Sequence, residues 1–224
     1  VSYNINNSTI LEGFAKEVLN GLCKKRKKLN PTLFYDQKGS ELFEQICMQP
    51  EYYLTVTEYK IIIENINSLL KLYDNKEVCI VELGSGSSKK TKILLNYFLE
   101  KQNGNLHYFP IDISQEFLYK SSLNLQSDLS KINIHSIASD YFGGLEIVTK
   151  FLNSQYTIPN NKLILFLGSS LGNFEPKDAI IFLRNIREKV NKDDSLLIGF
   201  DLQKKKNILE AAYNDVEGIT AKFN

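Results

Sequence analysis

The 224 residues are 43% hydrophobic and 24% charged, which is the balance of one soluble globular domain with a sizeable core. A net charge of +1 gives no overall field that attracts nucleic acid or anionic lipid, and no apolar run is long enough to span a bilayer. We therefore expect no nucleic-acid or membrane partner. The first residues lack a secretory signal, and Cys23, Cys47 and Cys79 have no metal-ligand spacing. These features predict a reduced, cytoplasmic protein with no metal site.

The first third of the chain, residues 1–75, carries helical patterns. Ser40 is a candidate N-cap for a helix that Pro50 would end. Thr55 and Glu58 have the spacing of a capping box, which predicts the start of the next helix. We therefore predict an N-terminal helical region over residues 1–75.

Residues 76–224 alternate short apolar runs with amphipathic stretches. The runs are continuously apolar, which indicates a parallel sheet covered by helices on both faces. They lie at 78–83, 106–111, 132–137, 163–168 and 195–200. The predicted fold class is therefore α/β, with a Rossmann-like core of mostly parallel sheet that follows the helical region.

A glycine-containing turn follows the first apolar run. Gly84 and Gly86 allow a sharp turn and a close approach of the backbone to a ligand. The pattern suits NAD, FAD, S-adenosylmethionine or a simple tight turn. A dinucleotide fingerprint would place glycine at position 89, where this chain has Lys89, and the acid Glu82 before the turn favours S-adenosylmethionine.

Acidic residues end the next two runs, where a doubly wound sheet binds its ligands. Asp112 is placed to accept both ribose hydroxyls, although it could instead cap the following helix, a role open to Ser114. Asp140 and Tyr141 suit the amino group and the ring of an adenine, and a helix cap is an equal alternative for Asp140.

Two further polar residues follow the later runs. Asn173 offers both an acceptor and a donor, or it caps the helix that Pro176 opens. Tyr213 would by default be a half-buried packing residue.

Several segments, taken together, resemble the histidine-specific methyltransferase family. They span nearly the whole chain in order: FYD at 34–36, GSELF at 39–43, PEYY at 50–53, ELGSG at 82–86, LGSSLGNF at 167–174, and the stretch 211–224. The resemblance implies an S-adenosylmethionine-dependent methyltransferase fold. It also implies methylation of the α-amino group of histidine to trimethylhistidine (hercynine), a step of ergothioneine biosynthesis.

The resemblance also implies roles for individual residues, including some in the N-terminal region. Gly86 joins the cofactor site through the glycine turn. The cofactor residues are then Tyr35, Gly84, Gly86, Lys90, Asp112, Asp140 and Tyr141, and the residues for the amino-acid substrate are Tyr52, Asn173 and Tyr213.

The proton acceptor for the amine is not a histidine in this interpretation. His107 begins an apolar run and His135 lies inside another, so both are expected to be core or edge residues. The hydroxyls of Tyr35 and Tyr52 are the candidate catalytic groups, which would orient the amine and pass its proton to water.

Three alternatives remain open at this point. One is methylation of another aromatic amino acid, of the ovothiol type or derived from tryptophan. Another is a non-catalytic S-adenosylmethionine-binding module, and the third is an NAD oxidoreductase.

The resemblance further implies a segment beyond the fifth run that grips the imidazole, together with two more strands. Residues 1–224 do not contain them, so we expect an incomplete core that self-associates and is inactive towards histidine.

Overall fold

A parallel β-sheet organises the chain. The computed structural model describes residues 2–4, 7–74, 76–155 and 157–224, with side chains from residue 14 onward. The strands are β1 (Ser2–Asn4), β2 (Cys79–Leu83), β3 (His107–Asp112), β4 (Asn133–Ile134), β5 (Ser136–Ala138), β6 (Lys162–Phe166) and β7 (Ser195–Ile198). Their order is β1-β5-β3-β2-β6-β7, with β4 beside β3, and the pairings are parallel.

Helices cover both faces of this sheet. They are α1 (Asn7–Leu22), α2 (Gln37–Ile46), α3 (Tyr53–Lys71), α4 (Thr91–Lys101), α5 (Gln115–Asp128), α6 (Tyr141–Asn153), α7 (Pro176–Lys189), α8 (Lys206–Ala212) and α9 (Ile219–Phe223). Ile66, Phe98 and Leu125, from α3, α4 and α5, belong to the apolar cluster on one face. Val148 and Phe182, from α6 and α7, belong to the cluster on the other. The predicted Rossmann-like α/β class is confirmed.

The five predicted strands are present, with two differences. The third run forms two short strands, β4 and β5, and His135 lies between them. The short strand β1, which pairs with β5, was not predicted, because three residues are too few to carry a periodic signal. The predicted end of the N-terminal region, residue 75, lies outside the described residues.

The predicted helix starts in the N-terminal region were wrong. Asp36, not Ser40, caps α2, because its Oδ1 accepts the Gly39 N–H at 2.7 Å. Helix α3 begins at Tyr53, so Thr55 and Glu58 lie inside the helix. Capping-box spacing is a local pattern, and here tertiary contacts engage Glu58 instead.

A third cluster joins the segment around α2 and the start of α3 to the last two helices, α8 and α9. Ile46, Tyr52 and Leu54 are buried against Ala212, and Phe43 and Phe223 pack around them. This packing places the N-terminal helices over the carboxyl ends of the strands, where the predicted site residues lie.

The strand β7 lies at the edge of the described sheet. Its partner among the described strands is β6, and Ser195 and Leu196 are exposed.

Candidate active site

The glycine turn after β2 has the backbone conformation that its residues require. Gly84 and Gly86 have φ values of +71° and +51°, in the left-handed region that favours glycine. A Cβ added at Gly84 would lie 3.3 Å from the Tyr141 hydroxyl oxygen. The turn therefore brings the backbone close to the aromatic residue that begins α6.

Asp112 at the end of β3 is tied to this turn. Its Oδ2 accepts the Gly86 N–H at 2.9 Å, and its Oδ1 accepts the Ser114 N–H at 3.0 Å. Burial raises the pKa of the carboxyl, and these backbone N–H groups act in the opposite direction. Ser114 makes no capping bond with its side chain. Asp112 thus holds the start of α5 as well as the glycine turn, with lone pairs left for a ligand.

Asp140 and Tyr141 lie at the start of α6. Asp140 Oδ1 accepts the N–H groups of Phe142 and Gly143, both at 2.9 Å. This oxygen therefore caps the start of α6, as the helix-cap alternative predicted. Tyr141 packs edge-on against Phe166, with ring centroids 5.4 Å apart. Burial, followed by the charge of Asp112, raises the pKa of Tyr141 to about 12.

Two hydroxyl groups at this edge have unmet hydrogen-bonding capacity. Within the described part of the chain, Ser85 Oγ and Ser139 Oγ are buried and have no hydrogen-bond partner. Buried polar atoms normally have partners. With Asp112 and the glycine turn beside them, these donors and acceptors fit the polar groups of a nucleoside.

The predicted tyrosines form an aromatic cluster beside this turn. Tyr52 packs edge-on against Tyr213 at 5.9 Å, and Tyr35 packs against Phe43 at 5.5 Å. Burial raises the pKa of Tyr35 and of Tyr52, and neighbouring tyrosines add to the shift in both. Both hydroxyls therefore stay protonated at neutral pH and serve as hydrogen-bonding groups.

A cleft of about 270 Å³ opens between α3 and the carboxyl ends of β6 and β7. Tyr52 and Lys90 line it, and Lys90 forms an ion pair with Glu58. Asn173 lies apart, exposed in the 3-10 turn Ser170–Asn173, and among the described side chains it forms no hydrogen bond with Tyr52 or Tyr213.

The two histidines lie away from this site. His107 begins β3, at the opposite end of that strand from Asp112. Its Nδ1 is 3.0 Å from His135 Nε2, and His135 stacks on Phe109 at 4.6 Å. Burial lowers both pKa values, that of His135 to about 4, so the pair is uncharged at neutral pH.

Two residues of the site were missed in the sequence. Glu58 contacts partners 32 and 110 positions away, and Phe223 packs on both Tyr35 and Phe43. No local spacing predicts contacts over such separations.

Glu82, just before the glycine turn, is buried under it. Its two oxygens accept hydrogen bonds from the hydroxyls of Thr91 and Tyr108. Burial raises the pKa of Glu82 to about 7, against the opposing effect of these bonds. The folded state therefore binds the Glu82 proton more tightly than the unfolded state does.

We expect Glu82→Gln to change how stability depends on pH. With the folded pKa raised, the contribution of Glu82 is most favourable below its unfolded pKa of about 4.5 and declines as the pH rises to about 7. The neutral amide has no such decline. Denaturant unfolding from pH 4.5 to 8 should show the stability difference moving in favour of the variant across that window. A constant difference would contradict the raised pKa.

The sequence matches the family described as "Histidine-specific methyltransferase, SAM-dependent" over residues 14–224. It is 35% identical over 210 residues to the histidine N-alpha-methyltransferase of Mycobacterium tuberculosis, covering 93% of this chain and 62% of that protein. It is 34% identical over 202 residues to ergothioneine biosynthesis protein 1 of Schizosaccharomyces pombe, covering 89% and 26%. A 4-dimethylallyltryptophan N-methyltransferase of Claviceps purpurea is 26% identical over 216 residues, covering 94% and 61%. The chain thus spans between a quarter and about three fifths of the length of these relatives.

Proposed function

Because the chain belongs to the S-adenosylmethionine-dependent histidine-specific methyltransferase family, we propose that the protein methylates the α-amino group of histidine to form trimethylhistidine. One structural observation carries most weight in support. The glycine turn and Asp112 make a nucleoside-type cradle directly beside the cluster of Tyr35 and Tyr52. A cradle of that kind next to polar aromatic groups suits transfer from a nucleoside cofactor to a small amine.

In this proposal the site has two parts. Asp112 takes the ribose, and Asp140 and Tyr141 take the adenine. Burial of Tyr35 and Tyr52 near one another supports their position between the two parts. The full cofactor set is Tyr35, Gly84, Gly86, Lys90, Asp112, Asp140 and Tyr141, and the substrate set is Tyr52, Asn173 and Tyr213.

For this reaction the protein must align the amine with the methyl group of the cofactor and bind the amine in its neutral form. S-adenosylmethionine would supply a methyl group activated by a sulfonium. The amine nitrogen would attack the methyl carbon in line, and S-adenosylhomocysteine would leave as the carbon–sulfur bond breaks. The protonated hydroxyls of Tyr35 and Tyr52 would orient the amine through hydrogen bonds. They are poor bases in their own right, so the amine's proton would leave to water held by them.

Location and partners belong to the same proposal. Among the described residues, no helix has the length and apolar character needed to cross a membrane. We propose a cytoplasmic enzyme with a small amino-acid substrate, a placement that fits the free thiols of Cys23, Cys47 and Cys79.

We propose that residues 1–75 form a helical region that contributes to the active site. Residues 76–224 then form the methyltransferase core. The packing of Tyr52 and Phe43 against Ala212 and Phe223 supports a site shared by both parts.

Incubation of a full-length version of the protein with methyl-labelled S-adenosylmethionine and a panel of amino acids tests the proposed reaction. Histidine should be labelled up to the trimethylated product, and tryptophan and 4-dimethylallyltryptophan should not. Preferential labelling of a tryptophan derivative would favour the family's other substrate class. Binding of S-adenosylmethionine without turnover of any amine would favour a non-catalytic module.

Asn173→Ala and Tyr213→Phe are expected to raise the KM for the amino acid and leave cofactor affinity nearly intact. Each change removes a polar contact to a charged substrate group, which weakens binding by roughly tenfold to a hundredfold. Initial-rate kinetics and cofactor titration measure the two effects separately. Tyr119→Phe, at an exposed tyrosine of α5, is the matched control. Equal losses of cofactor and substrate affinity would contradict this division of the site.

A further inference from the structure

Glu58 lies where three parts of the fold meet in the cleft. From α3, both of its carboxylate oxygens accept the Gly168 N–H beyond β6, at 2.9 and 3.0 Å. The same carboxylate pairs with Lys90, at the start of α4. The side chains of Lys90 and Glu58 are only 25% and 16% exposed, so water screens this ion pair less than a surface pair.

Gly199, just beyond β7, leaves the space that this carboxylate occupies. A Cβ built there would lie 1.9 Å from Glu58 Oε1. Its φ lies outside the left-handed region, so its backbone does not require glycine. The missing side chain at position 199 is therefore explained by the position of Glu58.

The arrangement restricts a lysine that would otherwise be mobile. A lysine side chain has several rotatable bonds and loses considerable entropy when one position is imposed on it. Here the Gly168 N–H orients the carboxylate, and the carboxylate in turn holds the ammonium of Lys90. Lys90 follows the glycine turn, so its ammonium stays at the boundary between the nucleoside cradle and the cleft.

We propose that Glu58 is a positioning residue for the cofactor, acting through Lys90. S-adenosylmethionine carries one anionic group, the carboxylate of its methionine part, and an ammonium held in place is a suitable partner for it. Glu58 would fix the ammonium for that carboxylate and contribute nothing to the adenosine part. The inference rests on the proposed function, because it assumes that the cradle binds this cofactor.

Two ligands separate this role from a purely structural one. S-adenosylhomocysteine has the amino-acid part, and 5′-methylthioadenosine lacks it. By calorimetric titration, we expect Glu58→Gln to weaken binding of S-adenosylhomocysteine about tenfold and that of methylthioadenosine by less than about twofold. Adding Glu58→Gln to Lys90→Met should cause little further loss, because the two residues act as one unit.

Gly199→Ala provides a second variant that keeps the charge. Its methyl group displaces the Glu58 carboxylate, and we expect the same selective loss of S-adenosylhomocysteine binding. Glu64→Gln is the matched control, since Glu64 is on the same helix and forms an exposed pair with Lys60 at 3.7 Å. We expect that control to bind both ligands as the unmodified protein does.

The outcomes distinguish the two proposals. Unchanged or tighter binding of S-adenosylhomocysteine by Glu58→Gln and Gly199→Ala overturns the role of Glu58, and so does equal loss of both ligands. If Glu58→Gln does not fold, Gly199→Ala decides. Failure of the unmodified protein to bind either ligand overturns the proposed function itself, and this inference with it.

Discussion

Asp112→Ala is expected to weaken S-adenosylmethionine binding by roughly a hundredfold or more. In the proposed site Asp112 accepts hydrogen bonds from both ribose hydroxyls. Each such charge-assisted bond is worth about 1.5–3 kcal/mol, and the variant would lose both. It also releases the Gly86 N–H, which loosens the turn that approaches the cofactor. Calorimetric titration measures the affinity.

The control for Asp112 separates binding from folding. Asp193→Ala, at an exposed aspartate before β7, should bind the cofactor normally. Thermal unfolding of both variants checks that the fold survives. A folded Asp112→Ala protein with unchanged affinity would assign Asp112 to holding the turn and the start of α5.

The second large effect concerns stability and lies at the other end of the sheet. Lys162, the first residue of β6, is buried and pairs with Asp194 at 2.9 Å, and both side chains are only 1% exposed. Asp194 also accepts the N–H groups of Lys162 and Asn191, at 2.8 and 2.7 Å. This carboxylate therefore joins the start of β6 to the turn before β7.

Asp194→Ala is expected to lower the free energy of unfolding by about 3–5 kcal/mol, because it leaves the Lys162 ammonium buried and unpaired. For a chain of this size that corresponds to a fall in Tm of roughly 10 °C. Calorimetry measures it. Replacing both partners, with Lys162→Met and Asp194→Ala together, should recover part of the loss, since no buried charge remains.

A surface pair supplies the comparison for this prediction. Glu146 pairs with Lys150 one turn along α6, and both side chains are more than half exposed. Water screens such a pair, so Glu146→Ala should leave Tm nearly unchanged. Equal effects of Asp194→Ala and Glu146→Ala would contradict the importance of burial.

Local patterns in the sequence determined the fold class and much of the cofactor edge. Continuous apolar runs predicted the parallel sheet, because a strand covered on both faces needs apolar residues on both sides. Gly84 and Gly86 predicted the turn, since glycine tolerates positive φ. The position of Asp112 at the end of its run placed it at the carboxyl end of the sheet, because parallel strands end together there.

The sequence pattern did not predict two local features correctly, the N-cap of α2 and the strand β1. Ser40 suits an N-cap, but Asp36 takes the role because its carboxylate reaches the Gly39 N–H. The strand β1 forms by pairing with β5, and a sequence of three residues is too short to predict that pairing. In both cases competing local possibilities have similar energies, and the surrounding structure selects one.

The resemblance supplied Tyr35 and Tyr52, but only the tertiary structure joined the residues around them. It packed Phe223 onto Tyr35, and it placed Glu58 against Gly168 and Lys90. Glu58 and Gly168, 110 positions apart, meet because the sheet brings its strand ends together beneath the N-terminal helices. The sequence by itself determined the sheet, the glycine turn and the acids at the strand ends, since periodicity and backbone preference are local properties. Only the tertiary packing determined the cleft and the Glu58–Lys90 ion pair, because both depend on contacts between segments that are distant in the sequence.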